Sequence, residues 1–222
     1  YSGRLAAKVW QRLKIPKQVV IFCPKHRSGG ADWAVAPHRR WLFPGGEMDS
    51  DPELAFQLSV GIDYLELDAA AHHSEHAIEV QLPILARLAP QTRVVGITVG
   101  GAGNLSALQR FAAQMADVLR DLPEKPLLII SSDMNHFADD RENRLLDRIA
   151  LDAIETLDPA HVFETVRLHH ISMCGLYPCV IVMETLRQLG SLSRCELVGY
   201  ATSADANGTP HRVVGYAGVL FG

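Results

Sequence analysis

Apolar positions along this chain fall into two kinds of run, and their alternation predicts an α/β fold. Short continuous runs of β-branched and aromatic residues, 19–23 and 127–131 above all, read as strands buried on both faces. Between them the apolar residues recur at helical spacing. Residues 2–13 carry Leu5, Val9, Trp10 and Leu13 along one side before Pro16 stops them. Residues 52–60, 105–119, 141–156, 161–167 and 178–189 read as further helices, and 94–99 as a strand ahead of Gly100-Gly101. Residues 64–67 are enough for a small strand, and 196–202 and 213–221 pair as closing strands. Residues 75–88 have helical periodicity through Ile78, Leu82 and Leu85, with Pro83 expected to kink them. Residues 27–51, broken by Pro37, Pro44, Gly45 and Gly46, read as one long loop. No repeat, low-complexity tract or linker intervenes, so a single domain over 1–222 is expected, with a mixed or parallel central sheet flanked by helices.

Composition agrees. A chain of 222 residues, 48% hydrophobic and 21% charged, suffices for one substantial core. The formal charge of −4 is spread over interspersed signs, which argues against a nucleic-acid partner. The one basic knot, His38-Arg39-Arg40, reads as a solvated loop. The longest apolar runs are strand-sized, well below the roughly 20 residues of a membrane span, and no secretory apolar segment is visible. A soluble cytoplasmic protein is expected. The cysteines, Cys23, Cys174, Cys179 and Cys195, have neither C-x-x-C spacing nor the density of a disulfide framework. Cys23 and Cys179 sit in apolar runs and read as small buried hydrophobes. Cys174 differs, because it precedes a glycine and follows the polar pair His169-His170.

The chemistry is concentrated in four polar clusters: Cys23-Pro-Lys-His26, His72-His73-Ser-Glu75-His76, Ser131-Ser-Asp133-Met-Asn-His136 and Met173-Cys174-Gly175. At least two directly follow a predicted strand, and the carboxyl ends of strands are where open α/β sheets bind ligands. Imidazole, carboxylate and thiolate together are the groups that hold transition metals or move protons. His26, three residues beyond a strand and beside a proline, can reach the sheet edge; taken alone it is an ordinary loop histidine. Glu75, His76 and Glu79 share one side of a helix start, where Glu75 also complements the helix dipole. Asp133 and His136, three apart, read either as an acid/base pair or as a helix cap followed by a histidine. One of His169 and His170 is expected to line the pocket with Cys174; His72 and His73 belong to its approach loop, and His38, His161 and His211 are structural. Phosphate-loop, dinucleotide, nucleophile-elbow and H-E-x-x-H patterns are absent; Gly100-Gly101-Ala102-Gly103 is too loose to count.

These blocks resemble the MEMO family. Cys-Pro-Lys-His26 is similar to its Gly-Pro-Ser-His, and Glu75-His76-Ala-Ile-Glu79-Val-Gln-Leu-Pro to its Glu-His-Ser-Ile-Glu-x-x-Leu-Pro. Ser131-Ser-Asp133-Met-Asn-His136 and Cys174-Gly-x-x-Pro178 match its Ser-Ser-Asp-x-x-His and Cys-Gly-x-x-Pro. Gly199-Tyr-Ala-Thr-Ser and Val214-Gly-Tyr-Ala-Gly-Val resemble the AmmeMemoRadiSam branch of that family. The resemblance implies a fold like that of the class III extradiol dioxygenases. It also implies a metal pocket with His26 and Cys174 as ligands, Glu75 and His76 lining it, and His136, oriented by Asp133, as the catalytic acid/base. Fe(II) is the implied metal, with Cu(I) or Zn as alternatives. The implied activity is a dioxygenase-like redox function; the alternatives are a non-catalytic module for a small molecule, peptide or phosphopeptide, or a partner of a radical SAM enzyme. The family's other histidine ligand lies in a Pro-His-Ala-Gly segment just before a Tyr-x-Gly. This chain opens at Tyr1-Ser2-Gly3, so the domain is expected to lack an N-terminal segment, one ligand and its strand.

Overall fold

The computed structural model describes residues 1–101 and 103–222; Ala102 of the loose glycine motif lies outside the described residues. Strand β1 (Gln18–Pro24) forms the middle of the sheet, and Val19–Cys23 have no exposed surface. It runs parallel to β6 (Arg93–Val99) on one side and to β7 (Leu127–Ile130) on the other. Beyond β6 come β2 (Trp33–Val35), antiparallel to it, and the short β5 (Glu66–Leu67). The resulting order, β5-β2-β6-β1-β7, is a mixed, mainly parallel sheet.

Successive side chains of a strand point to opposite faces, and β1 divides the core accordingly. Val20 and Phe22 pack into the larger cluster, with helices α2 (Pro52–Gly61), α4 (Leu105–Asp121), α5 (Asp140–Glu155), α6 (Pro159–Leu168) and α7 (Leu176–Gln188). Val19, Ile21 and Cys23 face the smaller cluster, with α1 (Gly3–Trp10), α3 (Leu82–Leu88) and the hairpin β3 (Arg40–Phe43) and β4 (Gly46–Asp49). Gly96 of β6 makes room there: a Cβ on it would come within 2.7 Å of the Trp41 ring and 2.6 Å of Ile78. The chain closes with an antiparallel pair, β8 (Cys195–Thr202) and β9 (Gly215–Phe221), joined through the one-turn helix α8 (Ala204–Asn207).

Three expectations need correction. Residues 27–51 are not one loop, since they contain β2 and the β3–β4 hairpin; Pro37, Pro44 and the glycines mark the turns between these short strands rather than a structureless segment. Residues 75–88 are not one kinked helix. Glu79–Gln81 make a 3-10 turn, and Pro83 sits in the first turn of α3, where its missing N–H costs nothing. The strand at 127–130 is only half-buried, because as the sheet's edge it pairs with β1 alone among the described residues.

His72, assigned from the sequence to the approach loop, is buried, packed edge-on to Trp41 and His38 at 6.1 and 5.8 Å between ring centroids. Burial, reinforced by the neighbouring His38 and opposed in part by Asp68 and Glu75, pushes its pKa from 6.5 down to about 4. Between those values the unfolded chain holds a proton that the folded one refuses, so stability falls as pH drops from 6.5 toward 4. The expected loss is about 3 kcal/mol, at about 1.4 kcal/mol per unit. In urea melts across that range, His72→Phe should remove most of this slope; an unchanged slope would assign it to other groups.

Candidate metal centre

Two clusters of donor atoms are built where β1 and β7 end. The first begins two residues after β1, at His26. Its backbone N–H donates to Glu75 Oε2 at 2.7 Å, and its ring Nδ1 lies 2.9 Å from Glu75 Oε1. A carboxylate only accepts, so Nδ1 carries the hydrogen, and in the neutral ring Nε2 is left with its lone pair free. Ser74, at a left-handed φ of 63°, turns the chain so that the Glu75 side chain is inside, 1% exposed. Burial alone would raise the Glu75 carboxyl, but hydrogen bonds from His26 and from the Ala77 N–H outweigh it and hold its pKa below the usual value. His76 stacks on His26, with ring centroids 5.1 Å apart. One ligand-type atom from each of His26, Glu75 and His76 lies within 4.8 Å of the others.

The second cluster joins Asp133, His136 and Cys174, under the same 4.8 Å limit. Cys174 sits just before Gly175, the N-cap of α7. Any other residue at 175 would collide, since a Cβ there would lie 2.3 Å from the Ser132 Cβ. That close approach lets Ser132 Oγ accept from Gly175 N at 2.8 Å and brings Asp133 N to 3.2 Å from Cys174 Sγ, to which it donates. Burial pushes the Cys174 thiol up, by more than Ser132 and the Asp133 N–H lower it, so the free thiol is protonated at neutral pH. A bound cation reverses that preference outright. His136 Nδ1 donates to Ser172 O at 2.6 Å, and its Nε2 lies 3.5 Å from Asp133 Oδ2. Asp133, aided by the Ser172 carbonyl and opposed by burial, raises the His136 pKa.

The clusters share one cavity of about 330 Å³. His26, His76, Asp133 and Cys174 reach its wall, and Trp10 and Tyr216 supply part of the rest. Glu75 and His136 do not reach it: Glu75 is tied to His26 and His136 stands beside Asp133. A third tie joins the two halves. Ser131 Oγ donates to Ala77 O at 2.6 Å and accepts from Gln81 Nε2 at 3.0 Å, and the Gln81 carbonyl accepts from Trp10 Nε1 at 2.9 Å.

Other sequence expectations fare differently. Asp133 caps no helix, because α5 starts seven residues later behind Asp139. Glu79 is exposed and outside both clusters, since the 3-10 turn breaks the helical register assumed for it. His169 and His170 are exposed at the end of α6 and are not among the residues lining this cavity. Ser131 and Ser132 stand in a polar cluster the sequence shows, but their bonding roles are visible only in the structure, and nothing in the sequence marks Ser172.

Comparison with known proteins agrees with this architecture. A family profile described as "Memo-like protein" matches residues 1–220. A MEMO1 family protein of Archaeoglobus fulgidus is 37% identical over 222 residues, covering 100% of this chain and 82% of that protein. One from Aquifex aeolicus is 33% identical over 221 residues, covering 100% and 81%. In fold, an uncharacterized protein of Escherichia coli K12, known from a crystal structure, superposes with a TM-score of 0.63 at 13% identity, covering 97% of this chain and 91% of that one. No described helix is long and apolar enough to cross a membrane. With its sheet, its ordered polar blocks and near-complete matches to these relatives in agreement, this chain belongs to the Memo-like family.

Proposed function

We propose that the cavity holds a transition-metal ion bound by His26 Nε2 and Cys174 Sγ: redox-active Fe(II) first, or Cu(I), with redox-inert Zn as the further alternative. The donor set fits: an imidazole nitrogen and a thiolate suit borderline and soft first-row metals, and the carboxylate–histidine arrangement around His26 is the one that presents Nε2 to a cation. One observation carries the reading. Two polar networks, built from separate strand ends, bring donor-bearing residues to one cavity wall, His26 and His76 from the first and Asp133 and Cys174 from the second. Of their atoms, the unpaired His26 Nε2 and the Cys174 Sγ are taken as the ligands. Fe(II) bound there would supply a thiolate-ligated redox and Lewis-acid centre. The chain's own groups would handle protons: Asp133 faces the cavity, and His136 Nε2 lies 3.5 Å from its carboxylate, placed to take up and return a proton there. In this reading Asp133 is the group that faces a substrate and His136 is its proton partner.

The test is anaerobic titration with Fe(II) and Cu(I), by calorimetry with elemental analysis, on this chain and on one extended upstream by the family's Pro-His-Ala-Gly segment. One metal per chain, lost on His26→Ala, is expected. Absence of specific binding in both forms would move the assignment to a metal-free binding module. If the metal-loaded protein also consumes O₂ with a catechol panel, His136→Ala should depress turnover while metal binding stays within about threefold; loss of ligand binding without any turnover would mark a non-catalytic pocket.

A further inference from the structure

Helix α5 buries two groups that a helix packed on a sheet has no need to bury: Asn143 and Asp147, both without exposed surface. Asp147 Oδ2 accepts from Tyr200 Oη at 2.5 Å and Asn143 Nδ2 at 2.9 Å, and Oδ1 accepts from the backbone N–H of Asn135 at 2.7 Å. Asn143 Oδ1 accepts from Asn135 Nδ2 at 2.8 Å, and Asn135 Oδ1 accepts from Ser172 N and Oγ at 2.9 and 3.0 Å. Ser172 in turn accepts from the His136 N–H through Oγ at 2.8 Å and from Nδ1 through its carbonyl at 2.6 Å. Every side-chain polar atom of Asn135, Asn143 and Asp147 has a partner, and the chain of bonds ends on the two segments that carry the second donor cluster, 133–136 and 172–174.

We infer that Asn135, Asn143 and Asp147, acting through Ser172, are positioning residues that fix the His136 ring and the Cys174 turn relative to one another. The inference rests on the metal-site reading for its functional meaning, not for its geometry. Buried polar groups of this kind add little net stability over apolar residues of similar volume, and a fully satisfied network specifies one arrangement. Outer partners of metal-site residues typically change affinity about 10- to 100-fold when removed.

Two readouts on the intact chain test it. The first needs no metal: ¹⁵N shifts of the His136 ring, at a pH where it is neutral, report its tautomer. The wild type should show the Nδ1–H form alone, and Asp147→Leu a mixture of both forms. The second uses Co(II) alone, following affinity and the thiolate charge-transfer band of Cys174. Asp147→Leu should weaken Co(II) binding at least 10-fold and reduce that band, with Asp147→Asn intermediate. If Asp147→Leu does not fold, Ser172→Ala, at the exposed end of the network, carries both measurements. A single His136 tautomer in the folded variants, with a Co(II) spectrum equal to wild type where Co(II) binds, would make the network merely structural. A wild type that binds no Co(II) yet shows the tautomer change would sink the metal reading and leave the positioning role standing.

Discussion

Replacing Cys174 by serine is expected to weaken Fe(II) or Cu(I) binding at least 100-fold while leaving the fold intact. The argument is chemical. The thiol is costly to ionise where it sits, because burial raises its pKa, yet a metal displaces that proton readily from sulfur. A serine hydroxyl, with an ordinary pKa far higher, stays protonated beside the same ion and remains a weak neutral donor. Structure gives the substitution little else to disturb. Ser132 Oγ and Asp133 N, 3.6 and 3.2 Å from Sγ, can bond an oxygen as well as a sulfur, and Gly175 keeps the turn. Anaerobic calorimetry beside thermal melts checks both halves of the expectation. Metal binding within threefold of wild type would remove Cys174 from the ligand set and shift the site to the His26, Glu75 and His76 group.

Much of this architecture was legible in the sequence, for reasons that vary from element to element. Continuous apolar runs such as 19–23 and 94–99 belong to strands flanked on both sides, where burial leaves no polar position to blur the pattern. The helix at 105–119 was equally plain from its amphipathic spacing. Three-residue β2 was invisible, since it is too short to show a period and its place in the sheet comes from pairing with β6. The register of residues 75–81 was misread because Glu75 and His76 satisfy a helical pattern while their backbone follows the reversal at Ser74 and the later 3-10 turn. The site was legible as residue types and not as roles. Sequence placed Glu75 and His136 at the pocket, but only geometry shows that each stands outside its wall, tied to a neighbour that reaches it. Nothing local in the sequence marks Asn143 and Asp147, whose spacing of four is ordinary on any helix.

A methyl group added at Gly215 is expected to remove about 3 kcal/mol or more of stability, the range of substitutions that break a buried hydrogen-bond network. The backbone is not the obstacle, since Gly215 has no positive φ and any residue could adopt its conformation. Space is. A Cβ at this position would lie 1.8 Å from Asp147 Oδ2, 2.8 Å from its Cγ and 2.9 Å from Asn143 Nδ2. The carboxylate cannot swing aside cheaply, because Tyr200, Asn143 and the Asn135 N–H all hold it. Moving it leaves buried donors unmatched at about 1–3 kcal/mol each. The strand cannot retreat either, because Gly215 N donates to Asn135 O and its carbonyl accepts from Met134 N, which fastens β9 to the Asp133 segment. Gly190→Ala is the matched control. That residue has a left-handed φ of 67° and open space around it, so its cost should be the conformational penalty alone, about 1–2 kcal/mol. Urea unfolding of both variants at one pH gives the comparison. If Gly215→Ala costs no more than Gly190→Ala, Asp147 has an alternative seat and the network around it is looser than its hydrogen bonds indicate; a clear excess makes Gly215 the point where the closing strand is fitted to the polar core behind the site.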